Sequence, residues 1–252
     1  MISIVVLGAG NVGTHLCMAI NNAENLNLVQ WYNRSKSNNS TENTATEKCY
    51  NLDNLASADV YIIAVSDNAI EQLSNDFPFK NQLVVHTSGS ISMRFLNAKN
   101  RRGVFYPLQT FSKTAAVDFK NVPICIESTD KNDRNTLKQI AEALNSPTYF
   151  INSEQRQALH LTAVFVNNFT NHLYRIAHEL TDEKSLDFEI LKPLILETAK
   201  KVQYLSPYVA QTGPAKRRDT KTIKTHLKNL ESYPDYKELY EQLTKSIQKT
   251  HG

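Results

Sequence analysis

Cysteine, glycine and tryptophan are all scarce in this chain, which has three cysteines, seven glycines and one tryptophan among 252 residues. Cys17, Cys49 and Cys125 are far apart, odd in number and not in metal-ligand spacing. This pattern argues against a disulfide scaffold and a metal site, and it favours a reduced, cytoplasmic compartment.

Long apolar runs and a strong net charge are also absent. No stretch approaches membrane-spanning length, and the first apolar run breaks at Gly8 with no basic residues before it, so neither a membrane span nor a signal peptide is predicted. The net charge of +3 is too small to favour a nucleic-acid partner. With 41% hydrophobic and 21% charged residues, the chain has the composition of a soluble globular protein.

Three of the few glycines stand together near the N-terminus. Gly8, Gly10 and Gly13 follow the apolar run 2–7 and precede a helix-like segment, 14–21. This strand, turn and helix context is that of the dinucleotide-binding fingerprint, in which the helix N-terminus meets the pyrophosphate. We therefore expect Gly8, Gly10, Asn11, Val12 and Gly13 to bind a dinucleotide. The alternative is a glycine-rich turn that binds nothing.

The order of predicted elements changes near residue 152. Before it, short β-rich runs alternate with helical stretches, as in a doubly wound, mostly parallel α/β sheet. The predicted strands after the first are 26–32, 48–50, 59–65, 82–86, 103–106, 122–126 and 148–151, with a helix at 130–145 and a mobile loop at 35–46. After it, only helices are predicted, at 154–180, 184–205, 220–230 and 233–249. We expect a Rossmann domain over 1–152 and an all-helical domain over 153–252.

The end of the second predicted strand indicates which dinucleotide is preferred. Proteins that prefer NAD usually place a carboxylate there, whereas this chain has Asn33, Arg34 and Ser35. A guanidinium and short polar side chains suit a 2′-phosphate, so we expect NADP. The alternative is an exposed loop arginine without a ligand.

Small polar residues follow two further predicted strands. Val65, Ser66 and Asp67 would line the cofactor, and Thr87, Ser88 and Ser90 would lie near the nicotinamide and the substrate, because ligands bind beyond the carboxyl ends of parallel strands. Ordinary turn and capping chemistry is the alternative for the serines. His86 is expected to be a core histidine. Gln109 and Thr110, after another strand, are further candidate substrate contacts.

Several segments together resemble a family of bacterial Rossmann-like proteins that are provisionally assigned as NADP oxidoreductases and whose C-terminal half is a domain of unknown function. The segments are 8–13, 33–35, 64–67, 86–90, 106–111 and 212–219. More distantly, the chain is similar to pyrroline-5-carboxylate reductase, ketopantoate reductase and the 6-phosphogluconate and β-hydroxyacid dehydrogenases. The resemblance implies a Rossmann domain, a helical dimerisation domain and an active site between them.

The same resemblance directs attention to the long predicted helix. Ketopantoate reductase and the β-hydroxyacid dehydrogenases carry a lysine there, followed by asparagines. His160 occupies the place of the lysine and Asn168 that of the second asparagine, while Val164 replaces the first. A histidine can act as a general acid or base near neutral pH, and positions eight apart lie near one helical face. A helix-packing histidine is the alternative.

The segment 212–226 is strongly basic. Asp219 and Thr220 suit a helix N-cap, and Thr222 and His226 share a face. Arg218, Asp219 and Thr222 are candidate contacts to an anionic substrate. A solvated basic face is the alternative, and nucleic-acid binding is disfavoured because no recognised nucleic-acid module accompanies the patch.

These observations favour an NADP(H)-dependent oxidoreductase that moves a hydride between the nicotinamide and a small polar substrate. His160 is the candidate acid or base, Asn168 would orient the substrate, and Ser88 would hydrogen-bond it. Two alternatives stay open: a non-catalytic NADP-binding sensor or scaffold, and a reductase of a flavin or deazaflavin partner. The helical half is expected to form a homodimer, as the resemblance implies.

Overall fold

The computed structural model describes residues 1–35, 46–112 and 115–251. Residues 36–45 of the predicted mobile loop lie outside these ranges. Contacts between residues divide the chain into two compact units, Met1–Asn167 and Asn168–Gly252. The division falls later than residue 152, because the first helix after the last strand belongs with the sheet.

The first unit is built on one eight-stranded sheet in the order β3-β2-β1-β4-β5-β6-β7-β8. All neighbouring strands are parallel except β6 and β7, which are antiparallel. This arrangement confirms the predicted Rossmann fold with helices after it. The strands are β1 (Ile2–Leu7), β2 (Leu26–Tyr32), β3 (Glu47–Cys49), β4 (Val60–Ile63), β5 (Leu83–His86), β6 (Arg101–Pro107), β7 (Ile124–Ser128) and β8 (Thr148–Phe150).

Side chains along each central strand point alternately to the two faces of this sheet, and helices cover both faces. Ile4 and Val6 of β1 face a core completed by α1 (Asn11–Asn21) and α3 (Lys131–Ala143). Val5 and Leu7 face the opposite core, completed by α2 (Asp67–Asp76). The strand order reverses between β1 and β4, and ligands of such sheets bind at the carboxyl ends on either side of this point.

The long predicted helix 154–180 is not a single α-helix. It consists of α4 (Ser153–Ala163), a π-helical segment (Val164–Phe169) and α5 (Thr170–Glu183). Asn152 and Gln155 form a reciprocal capping box at the start of α4, and this fixes where the helix begins. His160 lies on α4 and Asn168 in the π-helical segment, so their spacing is not that of one α-helix. The apolar stripe did not predict this change, because it does not distinguish π-helical from α-helical turns.

The second unit is entirely helical in its described residues. After α5 come a 3₁₀ turn (Phe188–Leu191), α6 (Lys192–Lys201), α7 (Pro207–Ala210), α8 (Thr220–Asn229) and α9 (Pro234–His251). The predicted start of the helix 184–205 was wrong, because Asp187 caps the 3₁₀ turn and α6 begins only at Lys192. A hydrogen bond of 2.9 Å between His226 Nδ1 and Tyr240 Oη joins α8 to α9.

Candidate active site

The turn after β1 requires glycine for steric reasons. Gly8 has a φ of +125°, and a Cβ there would lie 2.2 Å from the carbonyl oxygen of Ala64. A Cβ on Gly13 would lie 2.2 Å from the carbonyl oxygen of Gly8. Trp31 Nε1 donates a buried hydrogen bond of 2.8 Å to that same Gly8 oxygen. These contacts hold β1, α1 and β4 so close that only glycine fits.

Gly10 is different, because a Cβ there would meet nothing within 4 Å. It is the N-cap of α1 and provides no side-chain acceptor, and the first turn of α1 contains no acidic residue. The amide groups at the start of a helix lack partners within the helix, and their dipoles favour an anion. The residues present therefore fit a pyrophosphate at this position.

A cleft of about 790 Å³ opens beside this turn, at the carboxyl ends of β1, β2 and β4. It brings together all of the predicted cofactor residues except Gly13, Asp67 and Ser88. Those that line it are Gly8, Gly10, Asn11, Val12, Asn33, Arg34, Ser35, Val65, Ser66 and Thr87. The volume is in the range of known small-molecule and cofactor sites.

One end of the cleft carries Asn33, Arg34 and Ser35. Asn33 Nδ2 donates a hydrogen bond of 2.7 Å to the Ser35 carbonyl, which shapes the turn, and Arg34 is exposed. Asp76, at the C-terminal end of α2, also lines this cleft and was not among the predicted residues. Gln72 Nε2 donates hydrogen bonds of 3.0 and 2.9 Å to its carboxylate oxygens. The cleft therefore holds a carboxylate as well as a guanidinium.

The loop after β5 is organised by its own hydrogen bonds. Ser88 is buried, and its Oγ accepts hydrogen bonds from the backbone N–H groups of Ser90 (3.1 Å) and Ile91 (3.0 Å). The Ser90 hydroxyl donates to the carboxylate of Asp67 at the start of α2. Ser88 and Asp67 thus support the turn beside the cleft, and their proposed contacts to ligands stay predictions.

His86 is fully buried at the end of β5, as the sequence suggested for a core histidine. Its Nδ1 accepts a hydrogen bond of 3.1 Å from the Ser88 backbone N–H, so Nδ1 carries no proton. Burial, reinforced by the nearby Arg156 cation and opposed by Asp67, lowers the pKa of His86 to about 3. His86 is a fixed neutral support for the loop at physiological pH.

Arg156 on α4 is the residue that sequence reasoning missed most clearly. Its side chain is fully buried, and Nη1 donates to the backbone carbonyl oxygens of Ser88 (2.9 Å) and Gly89 (3.1 Å). Nη2 contacts a carboxylate oxygen of Glu127 on β7 at 3.1 Å and Ser153 Oγ at 3.3 Å. One guanidinium therefore ties the loop after β5 to β7 and to α4.

His160 lies one turn after Arg156 on α4 and meets the same loop. Its Nδ1 is 3.2 Å from the Tyr106 hydroxyl oxygen at the end of β6. A Cβ on Gly89 would lie 2.6 Å from His160 Nδ1 and 2.8 Å from Tyr106 Cζ, so both rings rest on this glycine. Tyr106 belongs to the family-like segment 106–111, but no sequence pattern predicts its contact with His160.

The segment after β6 is tied to α1. Asn11 Nδ2 donates to the Phe111 carbonyl at 2.8 Å, and His15 Nε2 lies 2.8 Å from the Ser112 carbonyl oxygen. Gln109 and Thr110 are exposed, do not line the cleft, and bond to each other through Gln109 Oε1 and the Thr110 N–H at 2.9 Å.

The remaining predicted site residues belong to the second unit. Asn168 is its first residue and lies in the π-helical segment. Asp219 is the N-cap of α8 and accepts from the backbone N–H (3.0 Å) and the hydroxyl (2.8 Å) of Thr222. Arg218 precedes this cap with a φ of 55°. Asp219 and Thr222 thus have a structural use in capping, and their contact with a substrate stays a prediction.

Residues 122–247 match the model of a domain of unknown function, DUF2520. A protein from Bacteroides fragilis, provisionally named an NADP oxidoreductase, is 40% identical in sequence; the alignment covers 98% of each chain with a TM-score of 0.89. The chain belongs to the DUF2520 family. In this member, the matched segment begins at Val122, so it includes the last two strands of the sheet as well as most of the helical unit.

More distant structures share the fold of this DUF2520 protein. Pyrroline carboxylate reductase from Plasmodium falciparum, solved with NADP bound, is 13% identical over all of both chains with a TM-score of 0.62. Reductive aminase from Aspergillus terreus, solved with NADPH, is 14% identical over 100% of this chain and 96% of its own, with a TM-score of 0.70. No functionally curated protein matches the sequence.

In the part of the chain that the structure describes, no helix combines the length and apolar character needed to cross a bilayer. Within residues 1–35, 46–112 and 115–251, no group of three or more His, Cys, Asp or Glu side chains is arranged to hold a metal ion.

Proposed function

We propose that this protein is an NADP(H)-dependent oxidoreductase that acts on a small polar substrate. The observation that carries the proposal is the cleft at the carboxyl ends of β1 and β4, where the open space at Gly10 meets the uncapped start of α1. When bound, the dinucleotide supplies the hydride chemistry. The protein supplies binding, orientation and the handling of a proton.

The pyrophosphate would be held by backbone N–H groups at the start of α1. The Gly8 turn sets the direction of α1, and the close contact between Gly13 and Gly8 fixes the distance of α1 from β1. Because the anion would meet backbone amides, the affinity at this point depends on glycine geometry more than on charged side chains.

Arg34 is proposed to hold the 2′-phosphate, with Asn33 and Ser35 beside it. We expect Arg34→Asp to weaken NADPH binding by about 10–100-fold, because a hydrogen bond to a charged group contributes about 1.5–3 kcal/mol. NADH affinity should be unchanged or higher, since the new carboxylate can accept from a ribose hydroxyl. Titration of each nucleotide by isothermal calorimetry measures both affinities.

Gly10→Val is the matched control for this prediction. A Cβ at this position would meet no described protein atom within 4 Å, so the fold should survive while both nucleotides lose affinity. Equal losses of NADPH and NADH affinity in Arg34→Asp would show that Arg34 does not select NADPH over NADH. Undiminished nucleotide binding by Gly10→Val would show that the pyrophosphate does not bind at this turn.

For the chemistry, we propose His160 as the group that exchanges a proton or hydrogen bond with the substrate. Ser88 and Ser90 would support the substrate side of the cofactor, and Gln109 and Thr110 are proposed as further substrate contacts. Asn168 would orient the substrate, and Arg218, Asp219 and Thr222 would contact an anionic substrate. What supports the role of His160 is its contact with Tyr106 and with Gly89 of the loop after β5.

NADPH oxidation against a panel of 2-oxo acids, imines and flavins tests the reaction. With any accepted substrate, His160→Ala should lower kcat by about 10²–10⁴-fold, the usual contribution of a general acid or base. The control is His172→Ala, which alters an exposed histidine on α5 and should leave the rate unchanged. Full activity in His160→Ala would show that this side chain has no catalytic part.

The second unit is proposed to form a homodimer. Many of its large apolar side chains are exposed, among them Ile190, Leu194 and Val209, while few of its residues are buried. Exposed apolar surface of this kind is typical of subunit interfaces. Sedimentation analysis of the full chain measures its mass, and a single species of monomer mass would contradict the proposal.

A further inference from the structure

Tyr106 and His160 make a defined contact that the proposed function leaves without a role for the tyrosine. Tyr106 Oη and His160 Nδ1 are 3.2 Å apart, and the two rings meet edge to face with centroids 6.1 Å apart and an interplanar angle of 73°. Gly89 lies beneath both rings, and any side chain there would push against His160 Nδ1. The packing therefore holds the two side chains at hydrogen-bond distance.

The direction of this hydrogen bond follows from the tyrosine. Tyr106 is buried, and among the described residues its hydroxyl has no other hydrogen-bond partner. If His160 Nδ1 carried a proton and donated it, the phenol proton would lack an acceptor among the described residues, which is costly for a buried side chain. The phenol also keeps its proton, because burial raises the pKa of Tyr106 to about 12. Tyr106 must then donate and Nδ1 must accept.

We propose that Tyr106 fixes the neutral imidazole of His160 in the tautomer that carries its proton on Nε2. His160 then presents a hydrogen-bond donor at Nε2, which has no partner among the described residues. Tyr106 is a positioning residue, since it acts through His160. Taking His160 as a substrate contact rests on the proposed function.

This tautomer restricts the substrate class. A donor at Nε2 recognises a group with a free lone pair, such as the oxygen of a ketone or aldehyde. It does not accept the proton of an alcohol. A fixed neutral imidazole can stabilise negative charge that builds on a carbonyl oxygen, as preorganised donors do. The arrangement thus suits a carbonyl compound being reduced.

The tautomer can be measured directly on the full chain labelled with ¹⁵N in its histidines. A long-range ¹H–¹⁵N correlation spectrum, recorded at alkaline pH where the rings are neutral, distinguishes a protonated from an unprotonated ring nitrogen. His160→Gln identifies the His160 signals by their loss. We expect an unprotonated Nδ1 and a protonated Nε2 in the unaltered protein.

Two variants should abolish this preference by different routes. Tyr106→Phe removes the donor, and Gly89→Ala forces the rings apart, so in each the two nitrogen shifts of His160 should move toward each other as both tautomers become populated. Tyr149→Phe, at a tyrosine that is half exposed, should change nothing. Unchanged signals of His172, His178 and His226, which lie on α5 and α8, would show that each variant remains folded.

A proton on Nδ1 in the unaltered protein would overturn the proposal, as would His160 shifts that are unchanged in a folded Tyr106→Phe or Gly89→Ala variant. If Tyr106→Phe fails to fold, Gly89→Ala decides. These spectra require neither cofactor nor substrate. A protein that bound no NADPH but showed the expected tautomer would refute the proposed function and leave the Tyr106 assignment intact. A protein that bound NADPH but carried the proton on Nδ1 of His160 would refute the Tyr106 assignment and leave the proposed function intact.

Discussion

Arg156→Met is expected to lower the free energy of unfolding by about 3–5 kcal/mol, the usual cost of removing one member of a buried ion pair. The guanidinium is fully buried and satisfies the carbonyl groups of Ser88 and Gly89 together with the carboxylate of Glu127. Methionine fills a similar volume but leaves these acceptors without donors. Urea unfolding with linear extrapolation measures the change.

Two further variants test the reason for this loss. Glu127→Gln combined with Arg156→Met removes the stranded charge, so the double variant should be more stable than Arg156→Met alone. Arg175→Met breaks an exposed pair with Glu179 and should cost less than about 1 kcal/mol. If Arg156→Met cost no more than Arg175→Met, the buried guanidinium would not be the link between the loop and α4.

Stability is also expected to fall steeply on mild acidification because of His86. The unfolded chain binds a proton on this histidine below its ordinary pKa of 6.5, whereas the folded protein does so only near pH 3. Between these values unfolding takes up a proton, so this residue's contribution is present above pH 6.5 and declines as the pH falls. The slope approaches about 1.4 kcal/mol per pH unit.

His86→Asn isolates this term, because asparagine does not titrate and can still accept a hydrogen bond from the Ser88 N–H. The free energy of unfolding of both proteins should be measured from pH 7 to pH 4. The difference between them should shrink as the pH falls, since only the histidine protein loses this contribution. Parallel pH curves would mean that His86 is protonated equally well in both states, contrary to its burial.

The lining of the proposed cofactor cleft was more predictable from the sequence than the proposed catalytic contacts. Gly8, Gly10 and Gly13 act through the backbone of one turn, and Asn33, Arg34 and Ser35 follow a strand whose neighbours are set by the βαβ order. Both patterns are local, so the motif carries most of the geometry. Asp76 was overlooked, because it reaches the cleft from the far end of a helix.

Arg156 could not be recognised in the same way. It stands in a polar stretch that reads as the surface of a helix, and its burial depends on the arrival of Glu127 and of the loop after β5 from distant parts of the chain. The Tyr106–His160 contact likewise depends on Gly89, a third distant residue. The π-helical turns at 164–169 leave no mark on the apolar pattern, so the long helix looked regular.

The three cysteines give this protein a set of internal reporters of local opening. All are buried thiols, placed on α1 (Cys17), on the edge strand β3 (Cys49) and on β7 (Cys125). A thiol reagent can reach each one only when its element transiently opens, so the alkylation rate of each site reports the opening free energy of that part of the sheet unit. Burial also raises the pKa of Cys125 to about 11, which keeps its thiol unreactive in the closed state. Differences among the three rates with and without a nucleotide would show which parts of the sheet unit a ligand holds closed, with no foreign label in the chain.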